Sequence, residues 1–247
     1  MLTLFLLSLT GVLASALTAA IGFGGGVILV VVMLIFMPPI VALPMHGAVA
    51  LVANSARLVL FRRHISWRLW WRFVLLLGPG TAAGLWLFQG LSEEAIKTLI
   101  GVFVLTTLLM RQNPFLRNYQ FPEWSFIPLG FFIGVLAMTV GAIGILFSAF
   151  LIRDELNKEA MNGTLASFAA MGHLVKIVGF GLVGFPFTEH WPIFLFMAPA
   201  VILGTILGRW VHGHFSDRVF LVVFKTVLTL LALRLILWEG ILKALWP

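Results

Sequence analysis

The 36 residues from Leu2 to Met37 carry no charged side chain. As one straight helix they would extend about 54 Å at 1.5 Å per residue, against a hydrocarbon core of about 30 Å. A run that apolar belongs in a bilayer, and a run that long must break or tilt strongly to stay there. The break has an obvious place at Gly22-Phe23-Gly24-Gly25-Gly26. Glycine there permits a sharp backbone turn or the close approach of another helix. A turn whose amides pointed inward would also form an anion-binding concavity, with Gly24 and Gly25 at its centre. The rest of the chain has the same character: 61% hydrophobic and 10% charged residues over 247, with a mean hydropathy of +1.10. This is the composition of an all-α integral membrane protein with no room for a soluble domain beyond short loops. The first apolar run lacks a charged leader and a small-residue cleavage site, so it reads as part of the mature protein rather than a signal peptide.

Further apolar segments follow in order. After Pro38, Pro39 and Pro44 comes a span from about Met45 to Phe61, containing His46, Asn54 and Arg57. A loop with Arg62, Arg63, Arg68 and Arg72 beside Trp67, Trp70 and Trp71 reads as a cytoplasmic interface. A third span runs from about Phe73 to Phe88 and a fourth from Ala95 to Met110, after Glu93 and Glu94. Residues 111–125 are polar, hold Asn113-Pro114 and read as a linker between a first membrane repeat, 1–110, and a second, 126–247. The second half echoes the first. Met45-His46-Gly47 recurs as Met161-Asn162-Gly163, Pro79 and Gly84 as Pro199 and Gly204, and Ser92 as Ser216, at offsets of 116, 120 and 124. Gly22 and Gly25 find Gly141 and Gly144 at an offset of 119. Two homologous halves of four hydrophobic segments are a common plan for secondary transporters.

Charge placement bears on topology. If all eight segments cross and the N-terminus is cytoplasmic, loop Lys and Arg number seven inside against five outside. If the first segment of each half, Leu2 to Met37 and Phe126 to Ile152, is a glycine-hinged hairpin, the count becomes ten against two. The positive-inside rule prefers the second arrangement, although a tilted spanning helix also fits the 27 residues of the second such segment. Three full crossings per half then make the halves inverted repeats.

The chemistry concentrates in Asn162 to Lys176, NGTLASFAAMGHLVK. Asn162, Ala166, Ala169, His173 and Lys176 share one helical face, polar at both ends and small between. Lys176 lies about nine residues from Phe185, roughly 13 Å of helix, a long reach for snorkelling. An ionisable group at that depth points to function, because charge in hydrocarbon is costly. The deep ionisable groups are basic: Arg57, His173, Lys176 and, with a better case for packing or snorkelling, Lys225. Asp154, Glu155, Glu159 and Asp217 sit at segment ends, so no acid lies deep in a span. A basic pocket without an acidic partner awaits an anion. His46 and Asn162 read as helix starts, where they would either cap or, with their amide dipoles, add to anion attraction. Any coupled proton would reside on His173 or Lys176. Asn157 is a candidate helix cap.

Other classes fit less well. A membrane cytochrome could use His46 and His173 as haem ligands, but neither has a patterned partner. No HExxH, GxSxG or acid pair suggests an enzyme, and His212-Gly213-His214 reads as a solvated loop. The net charge of +7 is spread over short loops beside apolar spans, which argues against nucleic-acid binding. The absence of cysteine excludes disulfides and thiolate metal sites, and no cofactor is expected.

The N-terminal GFGGG, the two-fold recurrence of hydrophobic segments and especially FLIRDELNKEAMNGTLASFAAMGHLVKI resemble the TauE/SafE sulfite exporter family of bacterial membrane permeases. The resemblance covers essentially the whole chain. It departs at Val30 and Val31, where the family often has a proline, and in a second glycine run reduced to Gly141 and Gly144. It implies a multi-pass protein of the bacterial inner membrane that moves sulfite, sulfoacetate or another small sulfur or organic anion. Its specific stretch includes Thr164, which joins His46, Asn54, Arg57, Asn162, His173, Lys176, Gly24, Gly25 and Gly144 as expected substrate contacts. Lipid and the small anion are the expected partners, with homo-oligomerisation left open.

Overall fold

The computed structural model describes residues 1–21, 24–110, 119–141, 150–151, 153, 155–211 and 217–242, and among them no strand occurs. The helices are α1 (Leu2–Ile21), α2 (Gly25–Phe36), α3 (Pro39–Phe61), α4 (Trp67–Leu75), α5 (Leu77–Gln89), α6 (Glu93–Met110), α7 (Phe126–Thr139), α8 (Lys158–Leu182), α9 (Trp191–Val211) and α10 (Asp217–Arg234). The last continues in π-helical geometry over Leu235–Leu242. Gly144, Asp154, His212 to His214, most of the 111–125 linker and part of the glycine run fall outside the described residues.

Four helices among the described residues are long and apolar enough to cross a membrane: Leu2–Ala19, Pro39–Val59, Glu159–Leu182 and Trp191–Gly208. A fifth crossing is available if α4 and α5, bent by 41° at Leu76, form one span. Pro79 explains the bend, since it cannot donate to the Leu75 carbonyl and its ring would crowd it. The outer stripe of α1, Leu2, Phe5, Leu9 and Leu13, is left exposed, Leu13 by 62%. A stripe that apolar has lipid as its natural neighbour.

The uncharged first run breaks where the glycines are. Gly24 takes φ 98°, in the left-handed region open to glycine. The chain then folds back, with the Gly25 amide donating to the Thr18 hydroxyl at 3.0 Å and a side-chain carbon at Gly25 excluded by the Ala14 carbonyl. The residues just before and just after the second such segment lie together. The Arg153 guanidinium donates to the Phe121 carbonyl at 2.6 Å, and Phe150 stacks on Phe121 at 4.1 Å.

Glycines set the closest helix contacts. α1 and α9 run parallel, with Gly204 and Gly208 against the Val12 and Ala16 carbonyls. α5 and α7 also run parallel, with Gly80 and Gly84 facing Phe131 and Val135, and Gly130 and Gly134 facing Phe73 and Leu77. Close approach of this kind is how helices associate where burial from water offers no driving force. At the centre α3 and α8 pack antiparallel: Gly163 lies against Phe61 and Gly47 against Lys176. Thr164 accepts from the Ser66 amide at 2.9 Å and Glu159 approaches His64 to 3.1 Å at the same end.

Three expectations need correction. α3 begins at Pro39 and α8 at Lys158, so His46 and Asn162 lie inside their helices rather than starting them. Pro39 at the first helical position needs no partner for its nitrogen, and Pro44 removes only one bond. The cap of α8 is Asn157, whose side chain accepts from the Ala160 amide at 2.8 Å. The basic, Trp-rich stretch is not a plain loop, because Arg62–His64 form a 3-10 turn and Trp67–Leu75 a helix with Leu69 and Phe73 buried. Finally, an acid is buried in a helical segment. Glu239 is 5% exposed, 3.2 Å from buried Lys97, which also meets Glu93 at 2.6 Å.

Candidate functional site

Between the glycine break and the α3–α8 pair lies a cavity of about 70 Å³. A water needs about 10–15 Å³ by the same measure, so this space has room for a few waters or one compact ion. Five elements, with Gly141, build its described wall. α3 contributes His46, Ala50, Asn54 and Arg57, four, four and three residues apart and therefore on one face. α8 contributes Leu165, Ala169 and His173 at the same periodicity. The turn into α2 contributes Gly24, Gly25 and Gly26, and α1 and α9 contribute the hydroxyls of Thr18 and Thr205.

His46 is 1% exposed and packs edge-to-face on His173, ring centroids 5.4 Å apart at 78°. Neither nitrogen of His46 makes a hydrogen bond of ordinary geometry among the described residues; the Gly26 backbone lies beside the ring, and a side-chain carbon there would stand 3.8 Å from Nε2. Asn54 donates to the Ala50 carbonyl at 2.8 Å, which orients its amide and leaves its carbonyl oxygen for another donor. Arg57 is 8% exposed and lines the end of the cavity toward Phe61. Lys176 lies behind the wall, fully buried, with no hydrogen-bond partner for Nζ among the described residues. Its stem runs over Gly47, and its ammonium points at the cavity-lining Gly141, where a side-chain carbon would stand only 3.0 Å from Nζ. Gly141 holds φ 74°, so the backbone conformation and the space for the lysine both call for glycine.

Electrostatically the cavity is one-sided. Its described lining holds one guanidinium, two imidazoles, amides and hydroxyls and no carboxylate. The 12-residue α2 also starts at the cavity, so the positive end of its dipole adds to the same sign. Of the residues singled out from sequence, His46, Asn54, Arg57, His173, Gly24 and Gly25 line the cavity and Lys176 abuts it through Gly141. Asn162 and Thr164 do not line it, and Thr164 instead fixes the chain at Ser66. Sequence reading missed Thr18, Thr205 and Gly26. The two hydroxyls donate to their own helix carbonyls, Thr18 to Ala14 at 3.0 Å and Thr205 to Val201 at 2.8 Å, and so carry no signal of unmet need. Lys225 is exposed on α10 and takes no part.

The histidine pair does not suit a haem, because rings in mutual edge contact leave no slot for a porphyrin between them. No cluster of three or more metal-ligating side chains occurs among the described residues. Comparison with known proteins matches residues 7–235 to the family described as sulfite exporter TauE/SafE. No curated protein and no solved structure matches the chain. A match spanning everything from the first turns of α1 to the end of α10 leaves little of the chain outside it: the protein belongs to the TauE/SafE sulfite exporter family.

Proposed function

We propose that this chain carries a small sulfite-type anion across the membrane, outward, through a site at the α3–α8 crossing. The single observation that carries the reading is Lys176, a fully buried ammonium without a protein partner, next to a carboxylate-free cavity. A buried charge left unpaired costs several kcal/mol, so a counter-charge must come from the solute. The size of the cavity favours a compact oxyanion such as sulfite over one with a longer carbon chain such as sulfoacetate. His46, Asn54, Arg57 and His173 are the proposed contacts, with Gly24 and Gly25 shaping the turn. A potential negative inside drives an anion outward by about 2.3 kcal/mol per charge per 100 mV, so export needs no carboxylate for coupling.

The pattern of helix packing supports two inverted repeats, 1–110 and 126–247. The first helix of each half runs parallel to the third of the other, α1 with α9 and α7 with α5. Second packs on second and fourth on fourth, both antiparallel, as α3 with α8 and α6 with the C-terminal helix. Antiparallel mates are what a two-fold axis in the membrane plane produces, with the binding site on the axis.

The test is a proteoliposome flux screen with sulfite, sulfoacetate, sulfate and short carboxylates at set potentials. Sulfite flux that grows with a potential negative on the loaded side, and falls at least tenfold in Lys176→Ala at equal expression, is the expected result. Full activity in that variant would refute the assignment of Lys176, and no flux of any of these anions would refute transport.

A further inference from the structure

We infer that the site takes its anion together with one proton, so that the carried species is a monoprotonated oxyanion of net charge −1. The inference rests on the transporter reading above and concerns His46. Both nitrogens of this ring are buried at the cavity without an ordinary hydrogen bond among the described residues. The groups around it come from each packed element: Lys176 and His173 from α8, Asn54 and Arg57 on its own helix, Thr18 and the glycine turn from α1 and α2, Thr205 from α9 and Gly141. None is a carboxylate.

A neutral imidazole has one donor and one acceptor, and a protonated one has two donors. No donor of the cavity wall reaches a ring nitrogen within hydrogen-bond distance among the described residues, so the acceptor of a neutral ring is met by a ligand that brings an O–H. A protonated ring has no protein anion to balance it, so the ligand must bring the second negative charge. The two cases have the same composition. Neutral His46 with hydrogen sulfite and protonated His46 with sulfite both amount to one dianion and one proton. An anion such as methanesulfonate, with one charge and no O–H, satisfies neither case. A buried polar group left unpaired costs about tenfold to a hundredfold in binding.

The purified protein in liposomes clamped at zero potential by valinomycin and equal potassium decides the matter. With sulfite equal on both sides and a pH difference of one unit, the sulfite dianion should build up toward about tenfold on the alkaline side, one proton accompanying each anion. Methanesulfonate supplied on one side should cross at least tenfold more slowly than sulfite, and protein-free vesicles measure leakage. Equal dianion on both sides during active sulfite flux would overturn the inference while leaving transport intact; absence of flux for every anion would instead overturn transport. His46→Phe should cut the preference for sulfite over methanesulfonate at least tenfold, and His46→Gln, which restores an acceptor, should recover part of it. A parallel loss of both fluxes in His46→Phe would reduce His46 to a packing role and defeat its assignment. If His46→Phe does not fold, the wild-type pH-gradient measurement decides alone.

Discussion

At the scale of single residues, scarcity of charge made the site legible. In a chain with so few ionisable groups, Arg57, His173 and Lys176 stand out by position alone, and the structure gathers them around one cavity. What sequence could not show was which buried charges find protein partners. Lys97, which the sequence does not single out, is buried between Glu93 and Glu239, with Arg234 3.9 Å from the same acid. That contact joins residues 142 positions apart, and no local pattern encodes it. The contrast with Lys176 yields a prediction. Glu239→Ala should destabilise the protein by about 1–3 kcal/mol, because it strips one partner from a buried ammonium that keeps Glu93. The double variant Lys97→Met, Glu239→Leu should recover most of that loss, since an apolar pair needs no compensation. Thermal unfolding in detergent reads both, and a double variant as unstable as the single one would argue against the ion pair as the cause. Lys176→Ala should behave oppositely, removing an uncompensated charge with no loss of stability while cutting flux at least tenfold.

At the scale of elements, hydropathy located the segments and misjudged their ends. The glycine break after Ile21, the span ending at Phe61 and the Asn157 cap follow from local chemistry. Pro44 misled, because a proline six residues into a helix costs one bond and does not end it. The 62–72 stretch misled for a different reason: arginine and tryptophan mark an interface whatever the backbone does, and only packing of Leu69 and Phe73 makes part of it helical. The glycine run at 22–26 supplies the turn, at Gly24, while glycines inside helices, which the sequence reading leaves unassigned, set the close approaches at the α5–α7 and α1–α9 contacts. At the contacts the neighbour is a backbone carbonyl, which cannot move aside. Gly134→Val should therefore cost about 1–3 kcal/mol or more through overpacking. Gly78→Ala on the same helix as Gly80, with nothing within 4 Å, should be neutral or slightly stabilising. Equal melting temperatures for the two variants would argue against that interface.

At the scale of the molecule, everything turns on which loops share a face. The contacts of Arg68 and Arg72 with Glu123, of Arg153 with Phe121 and of His64 with Glu159 bring the 62–72, 119–125 and 153–159 stretches to one end of the bundle. Arginines at that end, Arg62, Arg63, Arg68, Arg72 and Arg153, predict by the positive-inside rule that it faces the cytoplasm. An eight-crossing chain would separate residue 63 from residue 157 by the full bilayer, while hairpins at the start of each half put them together. The chain contains no cysteine, so single-cysteine variants need no background removed. In sealed inside-out vesicles, Arg63→Cys and Asn157→Cys should both react with a membrane-impermeant maleimide, and Glu189→Cys, beyond the far end of α8, should not. In right-side-out vesicles the pattern should reverse. If residues 63 and 157 label from opposite sides, the hairpins and the inverted repeat fail together, and with them the two-fold axis on which the proposed anion site sits.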